Sequence, residues 1–386
     1  NRIELLDASL PLGVNVFGYF DTESGVGEMA RLYVRTLRAA GVPVAVLNIG
    51  QRWLRSEDRT FRDFDSENPY GINLIAVNAD QVPVVLGKIG PSLLKGRWNV
   101  GHWAWELPEF PQKYAGAFSF FDELWVNSSF VQASIGAVSS IPVKGLCPGF
   151  DLRPPGRATR RDFKIADEDL VFLYCFDSAS NIHRKNPQGV IRAFQRAFPV
   201  PGREVLVLKT MNLRPFVERA LRRLAATSRV RIETSYMDRG KVLDLIACCD
   251  AYVSLHRSEG FGITMIEAMA FGRPVIATDF SGNTDFLTAD NGYPISCRPI
   301  ALRRDYGPYP KGSSWADPDL AAAAGAMRGI ASDPQRARAL GQRARKDVEE
   351  NWSLEAAGRQ IRARIEEIAS IARFSTSPAA PAADRG

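Results

Sequence analysis

Apolar runs at 13–20, 42–49, 72–79, 97–105 and 123–127 have the length and side-chain character of β-strands, and a segment near 26–40 places its apolar residues at helical spacing. That alternation predicts a parallel sheet with crossover helices. After Phe150 the chain reads Asp151-Leu152-Arg153-Pro154-Pro155-Gly156-Arg157-Ala158-Thr159-Arg160-Arg161, which continues neither a helix nor a central strand, and a domain boundary is placed there. The second half repeats the pattern, with strands near 170–176, 204–209, 230–236, 251–255 and 274–278. The reading is therefore two open α/β domains, 1–150 and 151–353. A helix over 354–372 follows, and then a tail, 373–386, whose Ser, Pro and Ala content predicts disorder. In such sheets ligands sit beyond the C-terminal ends of the strands, so the strand-to-helix loops are where chemistry is expected.

Composition narrows this only a little. A chain of 386 residues suits two cores, and 45% hydrophobic with 24% charged residues is ordinary for a globular protein. No stretch reaches bilayer-spanning length, and no basic flank, apolar run and small-residue cleavage site begins the sequence, so a cytoplasmic address is expected. The five cysteines (Cys147, Cys175, Cys248, Cys249, Cys297) lack paired two-residue spacing, which argues against a disulfide framework or a zinc site. A formal charge of +6 suits an anionic substrate, an acidic membrane surface or nucleic acid, and selects none of them.

The strongest local signal is Ser254-Leu255-His256-Arg257-Ser258-Glu259-Gly260-Phe261-Gly262-Ile263-Thr264-Met265-Ile266-Glu267, running from a buried strand through a loop into a helix. Gly260 and Gly262 let backbone approach a ligand, and the amides opening the helix attract phosphate. Glu259 is placed to accept from sugar hydroxyls and Glu267, a turn into the helix, from a ribose diol. The plainer alternative makes Glu259 a solvated loop charge and Glu267 a helix-dipole acid worth ~0.3–1 kcal/mol.

Ser258-Glu259-Gly260-Phe261-Gly262 followed by Glu267-Ala268-Met269-Ala270-Phe271-Gly272-Arg273-Pro274-Val275-Ile276-Ala277-Thr278 resembles retaining glycosyltransferases of family four. The likeness extends through Asp279 to Phe286 and Asn291-Gly292-Tyr293-Pro294, and back to Arg184-Lys185-Asn186-Pro187 and Gly101-His102-Trp103-Ala104-Trp105-Glu106-Leu107, covering most of 13–355. It is similar to the branch of bacterial mannosyl- and rhamnosyltransferases of surface polysaccharide and lipopolysaccharide synthesis. The resemblance implies a GT-B α/β fold, two Rossmann-like domains facing across a cleft: an acceptor-side N-terminal domain, a nucleotide-sugar-binding C-terminal domain, and helix 354–372 packing back on the former. It also implies that Glu259 contacts the transferred sugar, Glu267 the ribose, and the amides of Gly260, Phe261 and Gly262 the sugar phosphate, with Lys185 neutralising the leaving diphosphate. The arginine that usually accompanies that lysine lies earlier in the loop, where this chain has Asp177-Ser178-Ala179-Ser180, leaving Arg184 or a residue from elsewhere for the contact. Lys209, at the end of strand 204–209, completes the donor-binding set.

Glu23-Ser24-Gly25-Val26-Gly27-Glu28-Met29-Ala30 spells Gly-x-Gly-x-x-Ala at the head of a helix. This admits a rival, an NAD-dependent oxidoreductase. The rival needs an acidic residue at the end of the second strand, and the chain has Asn48 there. Gly25 and Gly27 equally suit the diphosphate-touching loop that the resemblance implies; a tight turn before a helix is the plainer alternative. His102 is a catalytic candidate and Trp103, Trp105 and Glu106 are acceptor-side candidates, all at the end of one strand; the alternative for the aromatic residues is core packing. His183 is read as stabilising its loop and His256 as a secondary candidate. Asp63-Phe64-Asp65 and Asp167-Glu168-Asp169 end no buried strand, and no metal is expected. The basic runs Arg157 to Arg161 and Arg336 to Lys346 are read as solvated faces, with anionic lipid as the alternative. The reading is a metal-independent retaining hexosyltransferase without a resident cofactor. Its co-substrate is a nucleoside diphosphate sugar, GDP-linked mannose or rhamnose favoured. Its acceptor is a glycan or lipid-linked oligosaccharide, with peripheral contact at the inner face of the membrane and no nucleic-acid partner. A catalytically silent GT-B partner-binding subunit is the remaining alternative.

Overall fold

A computed structural model describes residues 6–50, 55–151, 156 and 158–374; residues 152–155, Arg157 and the predicted tail from 375 on lie outside the described residues. The chain divides into two units. The first comprises Asn1–Trp105, Phe110–Asp151 and Trp352–Gly386; the second comprises Glu106–Glu109 and Leu152–Asn351. Residues 106–109 thus group with the second unit, although the sequence reading assigned them to the first domain.

In the first unit the elements are β1 (Val14–Gly18), α1 (Gly25–Ala39), β2 (Val44–Asn48), β3 (Ile72–Ala76), α2 (Val82–Ile89), β4 (Trp98–His102), β5 (Glu123–Val126), α3 (Ser129–Gly136) and β6 (Val143–Gly145). Among the described residues, the strands form one parallel sheet in the order β2-β1-β3-β4-β5-β6. Helix α1 begins where Ser24 Oγ accepts from Gly27 N (3.1 Å), and its apolar residues Tyr33, Val34 and Leu37 enter the core with Val14, Val16, Leu74 and Trp125. The same core takes Ile361, Ile365 and Ile368 from the chain's last described helix. Between the core positions of the same strands, Asn15, Asn73 and Asn99 pass side-chain hydrogen bonds across three neighbours: Asn15 Nδ2 to Asn73 Oδ1 (2.9 Å) and Asn73 Nδ2 to Asn99 Oδ1 (2.8 Å). Backbone carbonyls, among them Tyr70 O and Leu93 O, complete the bonds that these buried amides require.

The second unit contains β7 (Leu170–Asp177), α4 (Ile182–Lys185), α5 (Pro187–Ala197), β8 (Glu204–Met211), α6 (Pro215–Ala225), β9 (Val230–Glu233), α7 (Arg239–Cys248), β10 (Ala251–Ser254), α8 (Ile263–Ala270), β11 (Val275–Thr278), β12 (Tyr293–Ile295), the antiparallel hairpin β13 (Cys297–Ala301) and β14 (Ser314–Pro318), α9 (Leu320–Ser332) and α10 (Pro334–Asn351). The last helix, α11 (Leu354–Ala372), returns to the first unit. The parallel sheet runs β12-β11-β10-β7-β8-β9 among the described residues. β7 reads LVFLYCFD and is buried over all but its last residue, as a central strand covered on both faces must be. After β7 the chain builds outward through β8 and β9, then restarts on β7's other flank with β10. The β7/β10 boundary is therefore the topological switch point, where a doubly wound sheet opens a crevice at its C-terminal edge. The hairpin was not legible as strands, because Pro299, Gly307, Pro308, Pro310 and Gly312 interrupt any strand pattern.

Candidate functional site

The two loops leaving the switch point carry Lys185 and Glu259. After β7, Asp177 Oδ1 accepts from Ala179 N (2.9 Å) and from Asn212 Nδ2 (2.9 Å), fixing the short turn where the resemblance calls for an arginine. Asn181 then caps α4, accepting from His183 N (3.1 Å), and Asn186 at φ 51° ends it and caps α5 through Gly189 N (3.2 Å). Arg184 and Lys185 thus sit on a single helical turn held between two asparagine caps. The loop after β10 is tied to this turn through Arg257 N to Arg184 O (2.8 Å) and Asn186 Nδ2 to Leu255 O (2.8 Å).

Glu259 is the focus. Its backbone is gripped by the next loop, with Ser281 Oγ accepting from Glu259 N (2.8 Å) and Glu259 O accepting from Gly282 N (3.0 Å). Its side chain is only 12% exposed and meets two cations: Lys185 Nζ at Oε1 and Arg184 Nη1 at Oε2 (3.1 Å). Burial pushes the carboxyl upward in pKa, but the charges of Lys185 and Arg184, with His256, outweigh that and hold it at about 2. Burial also lowers Lys185, against the attraction of Glu259. His256 is fully buried and bonded at both ring nitrogens, Nδ1 to Ser254 Oγ (3.0 Å) and Nε2 to Asn283 Oδ1 (3.0 Å), which makes it a support for this loop.

Arg184 is buried, and its guanidinium donates to Ser258 O (2.8 Å) and Ser180 O (3.0 Å) while lying 3.6 Å from Glu106 Oε1. Arg184 and Lys185 close on the same carboxylate, one on each oxygen of Glu259. Arg184 braces Glu259. Glu106, expected on the acceptor side, is instead Arg184's counter-charge and accepts from Tyr309 Oη (3.0 Å).

Gly262, at φ +105°, precedes α8 and gives its first turn no side-chain cap, the kind of helix end that attracts anions. Phe261 is buried against Phe286 (ring centroids 5.0 Å), and Gly260 lies beneath Gly282. Glu267, within α8, receives Arg239 of α7 on both oxygens (Nη1 to Oε2 3.3 Å, Nη2 to Oε1). Sequence reasoning missed Arg239, Tyr309 and Ser281. Only Ser281 had a signal, lying in the stretch that carried the resemblance. Lys209 Nζ is taken up by Ser235 O (2.8 Å) and Thr210 O (3.2 Å), steadying the loop after β9.

In the first unit, Gly27 is required by packing: a Cβ there would lie 2.6 Å from Tyr19 O and from Thr22 Oγ1. Its amide is committed to Ser24, whereas Gly25 faces open space at the head of α1. His102 is buried, with Nδ1 3.0 Å from both Tyr33 Oη and Trp125 O, and no described residue bonds Nε2. Burial holds its pKa down at about 4, against the Trp125 carbonyl. Trp103 and Trp105 form an aromatic core with Phe110, Trp103 stacked at 5.9 Å and 9°, Trp105 edge-on at 5.5 Å. Both rings are buried, as the core-packing alternative has it: large flat rings gain more by burial than by exposure.

Residues 229–347 match the family model of glycosyl transferases, group 1. The stretch contains Glu259, Glu267 and the glycines between them. A segment of 53 residues is 42% identical to a putative glycosyltransferase, ORF313, of Acidianus filamentous virus 1 (isolate United States/Yellowstone), spanning 14% of this chain and 17% of the viral protein's length. Among solved structures, the chain is similar to Anabaena Alr3699/HepE in complex with UDP and glucose (TM-score 0.64, 16% identity, 92% of this chain and 100% of that one). It is also similar to sucrose-phosphate synthase from Thermosynechococcus elongatus (TM-score 0.67, 16% identity, 93% and 99%). The fold is two parallel-sheet Rossmann-like α/β domains matching GT-B glycosyltransferase structures. The family match and the fold together support a GT-B glycosyltransferase. The expected preference for a guanosine donor finds no support here, since the Anabaena structure holds UDP. Among the described residues, no group of three or more His, Cys, Asp or Glu is arranged to hold a metal ion, and no helix is long and apolar enough to cross a membrane.

Proposed function

We propose that this chain transfers a hexose from a nucleoside diphosphate sugar to a glycan or lipid-linked acceptor with retention of anomeric configuration. The observation that carries the reading is the Lys185–Glu259 ion pair at the switch point of the second sheet. One half-buried ammonium and one half-buried carboxylate on adjacent loops suit a ligand with both a diphosphate and hydroxyls. Lys185 would turn to the diphosphate as it leaves, where a charged donor supplies roughly 3 kcal/mol of transition-state stabilisation. The first amides of α8 would hold the sugar phosphate. Glu259, ionised above about pH 2, is an acceptor for sugar hydroxyls and has no proton to donate. A leaving phosphate oxygen would then assist deprotonation of the incoming hydroxyl, and no protein nucleophile is assigned.

The test is a donor screen by thermal shift with UDP-glucose, GDP-mannose, GDP-rhamnose and NAD, followed by assignment of the product's anomeric configuration by NMR. Stabilisation by one or more sugar nucleotides and a retained anomeric centre are expected. Stabilisation by NAD alone would sink the glycosyltransferase reading, and an inverted product would sink the stereochemical part.

A further inference from the structure

The loop 302–313, which joins β13 to β14, reaches both switch-point loops. Ala316 N donates to Arg257 O (2.8 Å), fastening the hairpin to the loop after β10. Tyr306 N and Tyr309 O close a turn (2.9 Å) that sends two tyrosines toward α4. Tyr306 O accepts from Asn181 Nδ2 (2.9 Å), the residue that caps α4, and its ring packs edge-on to His183 (4.9 Å) and against Trp315 (5.1 Å). Tyr309 is 4% exposed, with its ring 5.9 Å from the Arg184 guanidinium and its hydroxyl on Glu106 Oε2 (3.0 Å).

We propose that this hairpin loop is a positioning element for Glu259, in which Tyr309 and Glu106 clamp Arg184 against that carboxylate while Tyr306 fixes the cap of the turn presenting Lys185. The physical need arises at the moment of reaction. With Lys185 on Glu259 the cluster holds two acids, Glu106 and Glu259, and two bases, Arg184 and Lys185. A donor that draws Lys185 to its diphosphate leaves Arg184 as the cation still holding Glu259. A buried carboxylate without a fixed cation gives up either its charge or its place. Arg184 stays put because Ser258 O, Ser180 O and Glu106 hold its two terminal nitrogens and Tyr309 closes one face. Misplacement of a reacting group by about 1 Å costs up to about a hundredfold in rate, so a clamp of this kind acts on turnover more than on nucleotide affinity.

This inference rests on the glycosyltransferase reading for its kinetic arm and on geometry alone for its second arm. Tyr309→Ala should lower kcat about tenfold or more with UDP or GDP affinity, measured by calorimetry, unchanged within about twofold. Tyr309→Phe keeps the ring over Arg184 and should recover most of that loss. Independently of any substrate, amide exchange in Tyr309→Ala should quicken in peptides covering 181–186 and 256–260, with β1 and β3 unaltered. Wild-type kcat in Tyr309→Ala, or kcat and nucleotide affinity falling together, would overturn the proposal. Unchanged exchange at both loops would overturn it even in the absence of a working donor, whereas a wild type inert toward every sugar nucleotide, with the exchange result as expected, would strike only the reaction assigned above.

Discussion

Arg239 meets both carboxylate oxygens of Glu267 across 28 residues of chain. A ribose diol on Glu267 would use those same oxygens, so a nucleotide bound there would exchange with the guanidinium, which holds the carboxylate in place until it does. Glu267→Ala should therefore weaken UDP or GDP binding by about tenfold or more, the order of one charge-assisted hydrogen bond. Glu259→Gln should leave that affinity nearly intact and lower kcat by about a hundredfold or more. Calorimetry and initial rates on the two variants separate the roles; equal kinetics in both would remove this loop from the active site.

Lys185→Met removes the ammonium and leaves a shape close to the original. Transfer should fall by about a hundredfold, the equivalent of about 3 kcal/mol. Ammonium or methylamine added to the assay should restore part of the rate if the missing group acts as a charge. A variant within about twofold of wild type would dismiss Lys185 from the diphosphate.

His102 makes acid stability a test of its burial. Its folded pKa is lowered to about 4, below the unfolded value of about 6.5, so the unfolded chain binds more protons between those values. Stability from this residue is complete above about pH 6.5 and is lost as pH falls toward 4, by up to about 3 kcal/mol. Urea unfolding from pH 7 to 4 should show that slope, and His102→Gln should flatten it. An unchanged slope in the variant would place the ring in contact with water.

Arg364 on α11 pairs with Glu123 on β5, whose side chain is fully buried and also accepts from Trp125 Nε1 (2.7 Å). Breaking such a pair strands a charge. Arg364→Met should cost about 3–5 kcal/mol in equilibrium unfolding, and Arg364→Met with Glu123→Gln should recover part of that cost. Additive losses in the double variant would show the pair to be uncoupled.

The parallel sheets were readable because runs such as 170–176 are long, apolar and bounded by turn residues, so pattern and burial say the same thing. Glu259, Glu267 and Lys185 stood out in the sequence because each lies near glycines or a proline in a short motif, and the structure sets Lys185 against Glu259. Arg239 and Tyr309 did not stand out, since their partners are distant in sequence and nothing local marks an arginine opening α7 or a tyrosine in a Pro/Gly-rich loop. Arg184 was grouped with Lys185 on adjacency alone, and nothing local in the sequence shows that the two side chains close on the two oxygens of Glu259. The choice between acceptor side and core for Trp103 and Trp105 stayed open in the sequence, because alternation along a strand end does not say whether Phe110, Phe118 and Phe121 fold over it.

The return of α11 to the first unit sets the order in which the chain can finish folding. Ile361, Ile365 and Ile368 complete a core begun by Val14 and Val16, and the whole second unit is synthesised between them. On the ribosome, the first unit must wait with one apolar face uncovered while about 200 further residues are made, at about 5–20 residues per second. A chaperone has that interval, on the order of tens of seconds, in which to act.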